Sequence, residues 1–361
     1  MIGVGTLATG VAAEVDTDGT VRWGALRVTW HVRSGNDWLV PGRGGQVRQS
    51  RPAPAPVVHT AVRIPNGDAI ERVYAVGEGA GSVVVVEVDN DSPEAIAIGF
   101  VVEAPGVVVV DETGVHVDGA PVLLPARRAG AVDEEHGLVF PVPHRTKVRV
   151  ALTGVAVDVR ALADADAVSR AWDRILDRGL RTELPDPLQS EIDAARADLL
   201  LAPVSDEAFV ALEAWGFDED AIEMWPRLSM RARRSARRAS SRPSRGVLDT
   251  TRAALVHEDG STIDVVPGFR SAWLGQHLAV HDIPLRRGPC SFAVRWHGSR
   301  PALLWDVPVG STVRASALDP SWSSTEPVGE TLLAEPPTTL LAMGQGTELA
   351  GTTVDAPEQF T

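Results

Sequence analysis

"DADAVSRAWDRILDRGLRTELPDPLQSEIDAARADLLLA", residues 164–202, is the stretch on which the fold turns. Alanines, leucines and arginines recur at helical spacing, with Val168, Trp172, Ile175 and Leu176 on one face. Asp164 or Asp166 is the expected N-cap and Gly179 the expected stop. A second helix is expected after "LPDP", because Pro187 is well tolerated in a first helical turn. Its apolar face uses Leu188, Ile192, Ala195, Leu199 and Leu200. A third runs from about Ser205 to Trp215 and ends at Gly216, and a fourth starts near Asp218 or Asp220.

On either side the texture is different. Upstream, short runs such as "TVRWGALRVTWHV", "AIERVYAV" and "GSVVVVEVDN" are rich in valine and alternate over two residues. They are separated by Asp-Gly at 18–19 and 118–119 and Asn-Gly at 66–67, the dipeptides of tight hairpins. So many short antiparallel strands predict a sandwich. Residues 41–56, "PGRGGQVRQSRPAPAP", read as a loop across its edge. Downstream, "TRAALVHEDGSTIDVVPG" reads as a hairpin around Glu258-Asp259-Gly260. "SFAVRWHGSRPALLWDVP", 291–308, reads as another around His297–Arg300, with Phe292, Val294 and Trp296 on one face and Leu303, Trp305 and Val307 on the returning strand.

The expected fold class is therefore mainly β with a helical insert. An N-terminal antiparallel β-sandwich (1–157) leads into a short helical bundle (158–245) that ends in an arginine-rich helix. A small antiparallel β-domain (246–335) and a tail (336–361) follow.

Bulk properties narrow the function classes. A chain of 361 residues with 44% apolar content can bury its own cores, and its one cysteine, Cys290, excludes an internal disulfide framework. A net charge of −14 disfavours nucleic acid and anionic membranes as partners. The first basic residue is Arg22, so no secretory signal is expected, and no apolar run approaches a membrane span. The expected location is the cytoplasm.

At 291–334 the run "FAVRWHG", then "RPALLW", then "DPSWSSTEPVGE" resembles the C-terminal β-domain of actinobacterial six-hairpin, (α/α)-barrel glycosidase-like proteins. The order β-sandwich, helices, β-domain is similar to that family's arrangement. The resemblance implies a carbohydrate-related protein. A full barrel needs about twelve helices, whereas 160–245 hold at most four helices' worth of chain. The floor that would carry catalytic carboxylates is missing, and no catalytic residue is carried over.

Several constellations are candidates for chemistry. Ten tryptophans stand against one tyrosine. Trp23 and Trp30 read as core. Trp38, beside the Pro/Gly loop, is a ligand candidate with Arg43, because a tryptophan face can stack on a sugar. Trp305, Trp322 and Glu326 form a second candidate set, with the hydroxyls of Ser323, Ser324 and Thr325 alongside. In "WGFDEDAIEMW", Asp218, Glu219, Asp220 and Glu223 lie between Trp215 and Trp225, as a glycosidase would need. Acids also favour a helix start, which is the structural reading of the same residues.

"RLSMRARRSARRASSRPSR", 227–245, holds eight arginines and leaves −22 on the remainder. On one helix Arg227, Arg231, Arg234 and Arg238 would share a face able to bind a polyanion, or to dock on acidic surfaces of this chain or a partner. His277 and His281 would share a helical face with Asp282 following, but strand signals bracket them and no metal site is expected. No cofactor motif occurs.

The leading expectation is a non-catalytic or vestigial glycosidase-like protein that binds carbohydrate or has a structural role. The alternatives are an interaction or scaffold protein using the arginine-rich 227–245 helix to bind an acidic partner or nucleic acid, and an active glycoside hydrolase with acids from the helical segment. A protein partner or a homo-oligomer is a further expectation.

Overall fold

The computed structural model describes residues 1–7, 9–43, 46–52, 54–78, 81–237 and 246–336. It falls into two compact units, Met1–Leu176 with Asp193–Val204, and Asp177–Ile192 with Ser205–Thr361.

The first unit carries strands β1 (Ile2–Thr6), β2 (Gly10–Val15), β3 (Val21–Trp23), β4 (Leu26–Ser34), β5 (Asp37–Leu39), β6 (Val47–Ser50), β7 (Val58–Ile64) and β8 (Gly67–Glu78). They are followed by β9 (Gly81–Asn90), β10 (Ile96–Glu103), β11 (Val108–Asp111), β12 (Gly114–Val117), β13 (Ala120–Pro125), β14 (Ala131–Asp133), β15 (Gly137–Val142), β16 (Lys147–Leu152) and helix α1 (Ala165–Leu176). One antiparallel sheet has the order β1-β2-β3-β4-β10-β15-β14, with β5 also on β4; the other runs β11-β12-β13-β16-β9-β8-β7-β6. Their facing sides share one core that includes Trp30, Ile98, Phe100, Leu123, Leu138, Phe140 and Leu152. The expected sandwich is what forms.

The turn dipeptides act as read, with one refinement. Asp118 and Gly119 both take the left-handed conformation a type I′ turn demands, with φ 50° and 84°. At 66–67 it is Asn66 that turns left-handed, φ 62°. Gly67 is needed for space instead, since a Cβ there would lie 2.5 Å from the Asp91 carbonyl oxygen.

The valine run of β9 is buried on both faces. Val84, Val86 and Val88 enter the core, while Val83, Val85 and Glu87 lie on the opposite side. A strand covered on both sides loses the polar half of its alternation, which is why this one reads as an unbroken apolar stretch. Asp164 is the N-cap of α1, its Oδ1 accepting the Ala167 N–H at 2.8 Å. Val168, Trp172 and Leu176 are buried and Ile175 half-buried.

The second unit begins with β17 (Arg181–Glu183). Helix α2 (Leu188–Leu200) is divided between the two units; α3 (Asp206–Ala214), α4 (Asp218–Met224), α5 (Met230–Ala236) and α6 (Val247–Leu255) follow. Gly216, φ 71°, ends α3 as expected. Gly179 serves differently: its φ is ordinary, and a Cβ there would meet the Phe217 ring at 2.6 Å. Among the described residues five α-helices fall within 158–245, α5 being the start of the expected arginine-rich helix, and α6 follows beyond it, still far from a twelve-helix barrel.

Strands β18 (Val256–Asp259), β19 (Thr262–Val265), β20 (Leu278–Leu285), β21 (Gly288–His297), β22 (Arg300–Asp306), β23 (Thr312–Ala315), β24 (Asp319–Ser324) and β25 (Val328–Leu332) complete the described chain. They form two small sheets, β17-β20-β21-β22-β25 and β18-β19-β23-β24. The second departs from the antiparallel expectation, because β19 pairs with β23 in parallel. The segment "TRAAL", read as strand, is helical, since Thr251, Ala254 and Leu255 bury at helical spacing in α6. The 291–308 hairpin forms as read, with His297 opposite Arg300, Phe292 opposite Trp305 and Val294 opposite Leu303. Among the described residues no helix is long and apolar enough to cross a membrane.

Candidate functional site

The alternation along β4 builds one wall of a polar cavity. Val28, Trp30 and Val32 go to the sandwich core, so Arg27, Thr29 and His31 face the other way. On the neighbouring β10, Glu103 lies opposite Arg27, Val101 opposite Thr29, and Gly99 opposite His31. Gly99 also pairs with Val139 of β15. The absent side chain lets the β14–β15 turn lie across it, for a Cβ on Gly99 would come 2.6 Å from the His136 carbonyl oxygen.

That turn is held by its own residues. Asp133 Oδ1 accepts the N–H groups of Glu135 at 2.9 Å and His136 at 2.8 Å, which holds its carboxyl below the usual carboxylate range. Gly137 supplies the left-handed step, φ 65°. His136 is thereby brought to His31, 105 positions away in sequence, with their Nδ1 atoms 3.0 Å apart and both rings buried. Trp38 of β5 stacks on the His136 ring, centroids 4.0 Å apart and planes at 24°.

The cavity beside this pair, about 260 Å³, takes Asp18 and Thr20 from the β2–β3 turn, Arg27, Thr29 and His31 from β4, Arg43 from the loop after β5, Glu103 from β10, and Glu135. Arg27 approaches Glu103 at 3.6 Å, while its Nε is buried without a hydrogen-bond partner. Arg43 has no ion pair among the described residues. Burial, the neighbouring His136 and the Arg43 charge push the His31 imidazole below its ordinary value. Of the two residues expected here, Arg43 lines the cavity, and Trp38 buttresses it through His136.

Beneath the floor lies a buried acid that sequence reasoning missed. Trp30 Nε1 donates to the Asp18 carbonyl oxygen at 3.2 Å, and Glu71 of β8 is 1% exposed with Oε2 unpartnered. A Cβ on Gly19 would strike that oxygen. Burial, reinforced by the Asp18 charge, raises the Glu71 carboxyl well above its ordinary 4.5, against a lowering contact from Thr60. The folded state thus keeps Glu71 protonated where the unfolded chain would ionise it. Its contribution is intact below pH 4.5 and falls as pH rises toward the folded value. Glu71→Gln is therefore expected to flatten the decline in stability between pH 5 and pH 8, and to gain about 1–3 kcal/mol over the parent at pH 8. Urea melts at the two pH values check this; parallel declines in both proteins would refute it.

The other expected residues are placed as follows. Trp305 and Trp322 meet edge to face at 5.1 Å, and Trp305 Nε1 donates to the Glu326 carbonyl oxygen at 2.8 Å. Trp305 is 7% exposed, and its first role is packing. Beside it an open groove of about 310 Å³ includes His281, Arg295 and Asp306. Ser324 Oγ accepts the Glu326 N–H at 3.1 Å, which closes a turn.

Trp215 is fully buried, and Asp220 pairs with Arg178 at 3.3 Å, so the acids of α4 serve a helix start and an ion pair. His281 lies on β20 and His277 immediately precedes its first residue, so neither is on a helix. An even spacing still puts them on one side, at 3.1 and 3.5 Å from Glu183, while Asp282 turns away with φ 59°. Among the described residues no three side chains are arranged to hold a metal ion.

The arginine face is interrupted. Leu228 and Ser229 are extended, ψ 139° and 157°, so Arg227 is not on the helix that carries Arg231 and Arg234. Arg238 lies outside the described residues. Arg233 and Arg237 are spent on the Trp225 ring, at 5.5 and 5.3 Å.

No protein-family model matches the chain and no curated protein matches it; of the glycosidase-like expectation, the structure carries only the coarse features, antiparallel sheets, a helical segment and small C-terminal sheets.

Proposed function

We propose that the chain is a non-catalytic carbohydrate-binding protein whose ligand sits in the Asp18–His31–Arg43 cavity. The observation that carries this is the convergence of five charged side chains, two threonines and a histidine on one enclosed space of about 260 Å³. Ligand cavities of roughly 300–1,000 Å³ are mostly apolar. A smaller one lined by hydrogen-bonding groups of both signs suits a small polyhydroxylated molecule, whose hydroxyls both donate and accept. The exposed Arg227, Arg231 and Arg234 favour a second reading, a basic surface for an acidic protein partner.

A thermal-shift panel of mono- and oligosaccharides at millimolar concentration, with heparin as the polyanion, separates the two. A sugar at 100 times its dissociation constant stabilises the fold by about 2.7 kcal/mol. The expected result is a rise with one sugar class that Arg43→Ala abolishes. A rise with heparin alone, lost in high salt, moves the assignment to the arginine surface, and no rise with any sugar rejects the carbohydrate reading.

A further inference from the structure

The two facing Nδ1 atoms of His31 and His136 constrain each other. At 3.0 Å one must carry the proton and the other must offer its lone pair. A neutral imidazole with its proton on Nδ1 has a bare Nε2, and the reverse holds for its partner. Which ring is which decides what His31 shows to the cavity it lines.

Glu135 breaks the tie. Its Oε2 lies 4.0 Å from Nε2 of His136, and a carboxylate favours the tautomer whose N–H points at it. With the proton on Nε2, His136 accepts at Nδ1. His31 must then donate from Nδ1, and its Nε2 is left bare. That Nε2 has no hydrogen-bond partner among the described residues, and His31 lines the cavity.

We propose that Glu135, His136 and His31 form a relay that fixes His31 as a hydrogen-bond acceptor for a ligand hydroxyl in the cavity. The assignment rests on the carbohydrate reading for the nature of the ligand, but the relay itself is independent of it. His31 is a specificity-determining residue in this scheme, and Glu135 and His136 are positioning residues. Trp38 pins the His136 ring from one face, and Gly99 leaves the space in which the rings meet.

The groups facing His31 keep it in that state. His136 from the β14–β15 turn and Arg43 from the loop after β5 oppose its protonation, as does burial. Glu135 favours protonation but is 86% exposed and screened. Of the other charged groups around the cavity, Arg27 and Glu103 face each other, and Asp18 Oδ1 is occupied by the Thr20 N–H at 2.9 Å.

Long-range ¹⁵N–¹H spectra of the intact protein at pH 7 read the tautomers directly. The expected result is an Nδ1–H His31 and an Nε2–H His136. Glu135→Gln, at an exposed position, is expected to lower the His31 tautomer ratio by up to about fivefold, the scale of an exposed ion pair. His136→Phe, which keeps a ring on Trp38, is expected to return His31 to the Nε2–H form. An Nε2–H His31 in the parent protein, or a ratio unmoved by both variants, would overturn the relay. Failure of every sugar in the thermal panel would remove the ligand and leave these tautomers as they are, so the two failures are distinguishable.

Discussion

Arg149→Ala is expected to destabilise the N-terminal unit by about 3–5 kcal/mol, the cost of leaving a buried charge without its partner. Glu87 on β9 is wholly inaccessible. Its Oε1 accepts from Arg149 Nε at 2.6 Å and lies 2.9 Å from the Tyr74 hydroxyl, and its Oε2 accepts from Lys147 at 3.2 Å. Arg149 Nη1 also donates to the Leu162 carbonyl oxygen at 2.9 Å, and the Tyr74 hydroxyl lies 3.1 Å from that of Ala163. The network therefore ties the segment leading into α1 onto the outer face of β8, β9 and β16. Burial, followed by the Glu87 charge, pushes the Tyr74 phenol upward, so it stays a donor throughout the accessible pH range.

Alanine at 149 removes the principal counter-charge and the anchoring bond to the Leu162 carbonyl oxygen. Lys147, 40% exposed at its side chain, reaches only the Oε2 atom of Glu87. Urea unfolding measures the loss as a lower midpoint with an unchanged slope. The double variant Glu87→Leu/Arg149→Leu is expected to lie closer to the parent than the single one, because a buried ion pair exchanged for apolar side chains is often neutral. A single variant with less than about 1 kcal/mol of loss would show that water reaches Glu87.

The parts of this fold that read plainly from the chain are those set by local physics. The β4, β9 and β10 runs alternate or saturate with apolar residues because of what covers them, and Asp164, Ser205 and Gly216 mark helix ends by rules that act within a few residues. Misreadings came where tertiary context wins. "TRAAL" carries no cap strong enough to announce a helix, and its Gly246 makes no side-chain cap bond. His277 and His281 have a four-residue spacing that a helix and a strand both place on one side.

The candidate site was half legible. Trp38 and Arg43 stood out as an aromatic and a cation beside a Pro/Gly loop. His31 sits on the polar side of an alternating strand, which gives no signal of its own. Its partner His136 reaches it only because β4, β10 and β15 are neighbours in a sheet, a pairing no local pattern encodes. The one local clue was "DEEHG", 133–137, where an acid and a glycine frame a three-residue turn with a histidine at its end. The Tyr74–Glu87–Arg149 network is hidden for the same reason, its members lying on three strands.

Gly137→Ala is expected to cost about 2–5 kcal/mol and to dismantle the histidine pair. Two independent effects combine. The residue sits at φ 65°, where a Cβ costs about 1–2 kcal/mol. That Cβ would also run into the Phe100 carbonyl oxygen, a backbone atom of the neighbouring strand that cannot rotate aside, and such overpacking typically costs about 1–3 kcal/mol. The strand or the turn must shift, and His136 is the residue next to it. Its Nδ1 then leaves the 3.0 Å approach to His31, the stack on Trp38 opens, and the wall of the cavity moves. Gly154→Ala is the matched control, with an ordinary φ and nothing within 4 Å of the new Cβ, and is expected to be near neutral. Urea midpoints for the two variants, with the His31 and His136 ring resonances recorded on the same samples, separate strain from displacement. Loss of stability with the rings unperturbed would confine the effect to backbone strain at Gly137. Perturbed rings at parental stability would mean that the turn relaxes freely and that the pair is held by Trp38 alone.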